Sequence, residues 1–132
     1  MKGSLAACCL LAVLGCAQGP FSRGTALTAP GALTAENLKD PVGLDCVSPR
    51  LSWKLTAADA DAKNLRQTAY QVLVASSIES LRKNTGDLWD SGRVASDQSI
   101  NVAYKGAALS SSQRCYWKVR AWSNEGEVPS AW

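Results

Sequence analysis

The chain has 132 residues, 14 Lys and Arg against 11 Asp and Glu, and no His. That length holds one domain of ordinary size and little else. The net charge of +3 is spread along the chain without a basic stripe, which argues against nucleic acid as a partner, and the lack of His removes the commonest general base and metal ligand.

The N-terminus carries the pattern of an export signal. The apolar run 5–14 is too short to span a bilayer but has the length of a signal-peptide core. Val13-Leu14-Gly15-Cys16 resembles the lipobox of bacterial lipoproteins. We therefore predict a signal peptide over 1–16, lipidation of Cys16 and attachment to a membrane surface of the bacterial cell envelope, periplasmic or outer-membrane. Cleavage after Ala17, giving a secreted protein, and a buried N-terminal helix are the alternatives.

Residues 17–33 are predicted to be a flexible linker. They are rich in small residues, and Ala26-Leu27-Thr28-Ala29 recurs as Ala32-Leu33-Thr34-Ala35 around a Pro-Gly pair. Such a tract buries little apolar surface. The folded domain is therefore predicted to begin at residue 34 and to extend to residue 132.

Two cysteines, Cys46 and Cys115, remain once Cys8, Cys9 and Cys16 are assigned to the signal region. In an exported protein a disulfide between them would close a loop of about 69 residues, worth roughly 4 kcal/mol. Two buried free thiols are the alternative, because the sequence does not show whether the two Cβ atoms face each other.

The first strands are predicted from apolar residues that recur every second position. A short strand is expected near 36–38. Over 50–55, Leu51, Trp53 and Leu55 share one face, and over 68–75 the inward side chains are Tyr70, Val72 and Val74. Leu73, on the opposite face, indicates that this second strand is covered on both sides. Residues 77–84 then predict one helical turn with Ser77 as its cap.

The second half of the chain continues the pattern. Residues 87–94 predict a short strand broken by an Asp-Ser-Gly turn, in which Gly92 takes positive φ. Another strand is expected over 100–104, with Ile100, Val102 and Tyr104 inward. Over 114–122 the inward side chains are Cys115, Trp117, Val119 and Ala121. An incomplete final strand begins near Ser130. These elements predict an all-β, antiparallel sandwich of about seven strands, of the fibronectin type III or immunoglobulin type.

Carboxylate pairs are the remaining candidates for general acid–base catalysis. They lie in predicted turns, where they more simply cap or solubilise the chain: Asp59 and Asp61, Asp87 and Asp90, Glu125 and Glu127. We predict no catalytic residue, no cofactor and no metal ligand in this chain. The aromatic side chains Trp89, Tyr116 and Trp122 would either stack on sugar rings or pack against a following domain or the last strand. The second interpretation is favoured, because no polar cluster surrounds them.

Residues 33–132 resemble a known family. Trp117-Lys118-Val119-Arg120-Ala121-Trp122 is similar to the F strand of fibronectin type III domains. Seven blocks in order resemble the N-terminal module of bacterial α-L-rhamnosidases of glycoside hydrolase family 78: Asn37-Leu38, Asp40 to Asp45, Pro49 to Trp53, Gln67 to Gln71, Asp87 to Gly92, Ser96 to Ser99 and Tyr116 to Arg120. Cys46 and Cys115 depart from the family pattern, and two departures to the same residue type favour a bond between them.

The resemblance implies a function for a longer protein. In that family the module precedes further β-domains and an (α/α)6 barrel that holds the catalytic acid and base, and the reaction is hydrolysis of terminal α-L-rhamnose with inversion. The chain itself would then be a spacer and docking domain, truncated before the catalytic part, with the downstream domains as partners. A free-standing cell-surface module that binds rhamnose-containing glycans, or an adhesion module, is the alternative.

Overall fold

A computed structural model describes residues 26–132 of the chain. The predictions for the signal peptide, for lipidation of Cys16 and for the first part of the linker lie outside these residues. The described part contains seven strands and one short helix: β1 Gly31–Ala35, β2 Arg50–Lys54, β3 Gln67–Ala75, α1 Ile78–Arg82, β4 Trp89–Asp90, β5 Val94–Ala95, β6 Val102–Ala103 and β7 Tyr116–Ser123. No helix in this part is long and apolar enough to cross a membrane.

Two antiparallel sheets enclose the core. One sheet has the order β1-β2-β6. The other is built on β3, which pairs along its length with β7 and, at two separate positions, with β4 and β5. The arrangement confirms the predicted all-β sandwich, and its strand number agrees with the pattern of alternating side chains.

The core lies between the sheets and follows the predicted inward faces, apart from Ile100, which is exposed at a bend before β6. Leu51 and Trp53 of β2 meet Tyr70, Val72 and Val74 of β3, and all five are buried. The rings of Trp53 and Tyr70 contact edge to face at 5.2 Å between centroids. This is a favourable aromatic geometry, and it fixes the two sheets against each other.

A polar side chain is also built into this core. Gln67 is only 3% exposed. Its Oε1 accepts a hydrogen bond from Trp53 Nε1 at 3.0 Å, and its Nε2 donates to the carbonyl oxygens of Ser96 at 3.0 Å and Gln98 at 2.8 Å. Gln67 therefore joins β2, β3 and the segment between β5 and β6, and each of its buried polar atoms is satisfied.

The outer face of β3 is covered as well, as Leu73 predicted. Leu73 and Ala75 have no exposed surface and form a second cluster with Leu81 of α1. The predicted cap of that helix is confirmed, since the Ser77 side chain accepts a hydrogen bond from Ser80 N. The Asp-Ser-Gly turn is also confirmed, with Gly92 at φ 59° between β4 and β5.

The N-terminal boundary differs from the prediction. The first strand is Gly31–Ala35 rather than 36–38, and Leu38 only turns back to hydrogen-bond Ala35. Leu27 is buried and bridges to Ala57. Residues 31–33, which the sequence assigned to the linker, instead lie in β1, because this strand pairs with β2.

The last segment lies beside β7. Ser130 N donates to Ala121 O at 2.7 Å, and Ser130 Oγ accepts from Ala121 N at 3.0 Å. No strand is assigned over 124–132, so the predicted final strand is represented by this one contact. The contact nevertheless holds the segment at the edge of β7, and Trp132 then packs against the cluster on the outer face of β3.

Candidate interaction surfaces

A column of cations and indole rings covers the outer face of β7; we call it the Trp–Arg stack. Arg120 lies between two rings, with its Cζ 5.1 Å from the centroid of Trp122 and 4.5 Å from that of Trp132. Arg93 Cζ lies 4.9 Å from the Trp122 ring, and Lys118 Nζ lies 4.8 Å from the Trp132 ring. Each such contact attracts the cation to the ring, by about 0.5–1 kcal/mol at an exposed site.

Strand alternation and cross-strand pairs build this stack. Lys118, Arg120 and Trp122 point to the same side of β7, as the sequence predicted. Gln71 lies opposite Arg120, and its Oε1 accepts from Arg120 Nε at 3.0 Å and from Nη2 at 2.8 Å. These two hydrogen bonds hold the guanidinium group of Arg120 in place beside both rings.

Lys118 closes the lower end of the stack. Burial is the larger cause, and the neighbouring Arg120 charge the smaller, of a lowered pKa for the Lys118 ammonium. Its Nζ donates to Asn84 Oδ1 just after α1. The stack therefore connects the helix end to the C-terminal segment through one strand.

The three aromatic residues named from the sequence do not share a surface. Trp122 is 6% exposed and is covered by two guanidinium groups. Tyr116 is half-buried in the outer cluster with Leu73. Trp89 packs on the opposite side, against the core, with its ring edge-on to Tyr104 at 5.3 Å. They do not form one stacking platform for a sugar.

Two members of the stack, Arg93 and Trp132, were missed at the level of sequence. Arg93 comes from the turn before β5 and is held by an ion pair with Glu127 at 3.0 Å. Trp132 lies two residues after Ser130, which is hydrogen-bonded to β7. The alternation of cation and Trp on β7 was visible in the sequence, but it did not show which distant residues would complete the column.

The carboxylates act in turns. Asp59 Oδ1 accepts from Asp61 N at 2.9 Å, and Asp90 Oδ1 accepts from Gly92 N at 2.8 Å, each two residues ahead. Hydrogen bonds from the Ser76 side chain and backbone lower the pKa of Asp87. The interpretation of Asp59 and Asp90 as turn-capping residues is confirmed.

The two cysteines are free thiols in the structure, so the disulfide favoured by the resemblance is not formed. Cys46 is exposed in the loop before β2, and Cys115 is half-buried beside the core. Burial, with a smaller contribution from the Asp87 charge, raises the pKa of the Cys115 thiol. Cys115 therefore stays protonated at neutral pH and packs as a small apolar side chain.

The loop between β1 and β2, residues 36–49, exposes apolar side chains. Val42 is 99% exposed, and Leu38 and Val47 are also exposed. Glu36 and Arg50 close the base of the loop through an ion pair of 2.7 Å, and the side-chain hydrogen bonds from Arg50 lower the pKa of Glu36. The loop thus presents apolar groups from an anchored base, as interaction surfaces do.

These features define a class of protein. Two antiparallel sheets packed around one core define an immunoglobulin-like β-sandwich. Its loops and one outer sheet face carry apolar and aromatic groups. The chain belongs to the family described as Rha78A-like, N-terminal immunoglobulin domain, whose model matches residues 30–132.

Relatives of known name agree with this family. The chain is 43% identical over 104 residues to an α-L-rhamnosidase of Streptomyces avermitilis, covering 75% of this chain and 10% of that protein. It is 38% identical over 98 residues to an α-L-rhamnosidase of Formosa agariphila, covering 74% of this chain and 10% of that protein. The chain therefore spans about a tenth of the length of the relatives that it matches.

Solved structures show the same correspondence. An α-L-rhamnosidase from Dictyoglumus thermophilum matches with a TM-score of 0.75 and 37% identity, over 83% of this chain and 12% of that one. The Streptomyces avermitilis α-L-rhamnosidase, solved with L-rhamnose, matches with a TM-score of 0.72 and 43% identity, over 81% of this chain and 10% of that one. This chain thus corresponds to the N-terminal immunoglobulin domain of such proteins.

Proposed function

We propose that the chain is the non-catalytic N-terminal module of a longer glycoside hydrolase of family 78, which releases terminal α-L-rhamnose with inversion. The observation that carries this proposal is the family match over residues 30–132, in relatives that bear the name α-L-rhamnosidase. Inverting hydrolysis uses two carboxyl groups about 6.5–9.5 Å apart across a cleft. The reaction belongs, on this proposal, to domains downstream of the module.

The role of the module itself is that of a spacer that docks onto the following domain. The β1–β2 loop supports this role, because it exposes the apolar side chains of Leu38, Val42 and Val47 to water. Burying these side chains against a partner would be favourable. The Glu36–Arg50 pair limits the entropy lost when the loop is covered. The occupant that fits is an apolar surface of the same polypeptide, since a tethered domain is present at high effective concentration.

Substitution of Val42 by Asp tests docking. In the longer protein, a carboxylate placed in an apolar contact is expected to lower the melting temperature of this module by about 4–8 °C, the shift that roughly 1 kcal/mol produces in a domain of 60–100 residues. In the 132-residue chain, the same change should leave the unfolding free energy within about 0.5 kcal/mol, because Val42 is 99% exposed there. Differential scanning calorimetry of both proteins measures the contrast.

The matched control is Ile100→Asp, at an apolar position outside the loop that is 63% exposed. Equal effects of the two substitutions in the longer protein would show that the β1–β2 loop is not the docked surface. A coding sequence that ends after the Trp132 codon would remove the enzyme assignment itself.

Export and lipidation complete the proposal. The apolar run 5–14 and the lipobox-like sequence ending at Cys16 support a lipoprotein of the bacterial cell envelope. Expressed in a bacterial host, the chain should enter the membrane fraction with a mass that reflects cleavage before Cys16 and added acyl chains, and Cys16→Ser should abolish both. Recovery of unmodified wild-type chain, cleaved after Ala17, would instead support secretion.

The alternative is a free-standing module that binds rhamnose-containing glycans. In such a module, the side chains of Trp89, Tyr116 and Trp122 would stack on the sugar rings. Trp89 lies on the core side of its sheet, and the other two lie on the outer side. Because one sugar chain cannot stack on both sides at once, the docking role is favoured over this alternative.

A further inference from the structure

A partly open cleft of about 340 Å³ lies where β4 and β5 of one sheet separate from β6 of the other. Its walls include Tyr70, Trp89, Asp90, Asn101, Val102 and Lys105. The volume is at the lower end of the range found for small-molecule sites, about 300–1,000 Å³. It is separate from the β1–β2 loop and from the Trp–Arg stack, neither of which lines it.

The Tyr70 hydroxyl is the most informative group in this cleft. Only 7% of Tyr70 is exposed, and its ring is fixed against Trp53. The Tyr70 hydroxyl makes no hydrogen bond to any of the described residues. Because no side-chain polar atom of this part is both buried and unpaired, the hydroxyl must be accessible to solvent, and Tyr70 lines the cleft. The neighbouring Tyr104 differs, because its hydroxyl donates to Ala107 O at 2.6 Å. Tyr70 therefore holds an unused donor at a rigid position.

Other free polar groups surround that hydroxyl. Within residues 26–132 the Lys105 ammonium and the Asn101 side-chain amide have no hydrogen-bond partner, whereas Asp90 uses Oδ1 on Gln71 and Gly92 and keeps Oδ2 free. Trp89 and Val102 add apolar wall between these groups. Donors, acceptors and apolar surface are thus interleaved around a space large enough for one ring.

This combination selects the chemistry of a ligand. Asp90 and Lys105 carry charges of opposite sign. A strongly anionic ligand would be repelled by the first and a strongly cationic ligand by the second, so a neutral ligand is favoured. A ring with hydroxyl groups at its edge and a C–H face matches separated donors and acceptors beside an aromatic wall. We propose that this cleft binds one pyranose unit of a neutral glycan. The proposal goes beyond docking and does not depend on it.

Saturation-transfer NMR on the full 132-residue chain tests the site. The probes are methyl α-L-rhamnopyranoside, methyl α-D-glucopyranoside and, as an anion, inorganic phosphate. At least one glycoside should receive saturation and bind with a Kd on the order of 1 mM, as expected for a single small ring. Phosphate should not displace it. Tyr70→Phe, which removes only the free hydroxyl, should weaken binding by about 3–10-fold.

Two further variants locate the site. Ala103→Trp places a large side chain at an exposed position of the cleft wall and should abolish binding. Tyr116→Phe removes a hydroxyl from the outer face of the β3–β7 pair, away from the cleft, and should leave the Kd unchanged. Equal weakening by Tyr70→Phe and Tyr116→Phe, no saturation of either glycoside, or preferred binding of phosphate would each overturn the proposal. None of these outcomes bears on the test at Val42.

Discussion

Replacing Gln67 by Leu is expected to lower the free energy of unfolding by about 3 kcal/mol. The substitution nearly conserves side-chain volume, so the loss comes from hydrogen bonds rather than from a cavity. It leaves the buried Trp53 indole N–H without its partner, and it removes the partner of the half-buried carbonyl oxygens of Ser96 and Gln98. Urea unfolding followed by tryptophan fluorescence measures the change.

The control for this variant is Gln113→Leu, because Gln113 is exposed and its side chain accepts one local hydrogen bond from Ser110 N. Its effect should stay within about 0.5 kcal/mol. A double-mutant cycle with Trp53→Phe, which removes the indole N–H, should give an effect smaller than the sum of the single ones. Additive effects would mean that the bond between Trp53 and Gln67 contributes nothing.

The faces of the long strands could be predicted from sequence because they follow a local rule. In β2, β3 and β7, side chains alternate between core and exterior, and the zero exposure of Leu73 agrees with its place on a second covered face. The position of β1 could not be predicted in the same way. Its residues are small and follow a Pro, and they become a strand only because β2 offers unpaired backbone groups.

The surfaces were harder to predict, since they join residues that are distant in sequence. The pattern of β7 placed Trp122 on the outer face but could not show that Arg93 would cover it. Trp89 belongs to a strand of only two residues, which is too short for alternation to assign a face. The cleft at Tyr70 depends on the separation between the two sheets, and that separation leaves no periodic trace in the sequence.

Replacing Trp132 by Ala is expected to destabilise the 132-residue chain by about 2 kcal/mol. The ring packs against the outer cluster of Leu73, Ala75 and Leu81, and its removal exposes apolar surface there. Two cation–π contacts, with Arg120 and Lys118, are lost at the same time, at about 0.5–1 kcal/mol each. Thermal and urea unfolding should both show the loss.

Coupling between Trp132 and Arg120 distinguishes the two contributions. Arg120→Met keeps an apolar stem over the rings but removes the charge, so its effect should shrink when Trp132 is already Ala. Val128→Ala, at an exposed position of the same segment, is the matched control and should change stability by less than about 0.5 kcal/mol. If Val128→Ala and Trp132→Ala destabilise equally, the segment stabilises the sheet through its backbone, and the Trp–Arg stack is only a consequence of that pairing.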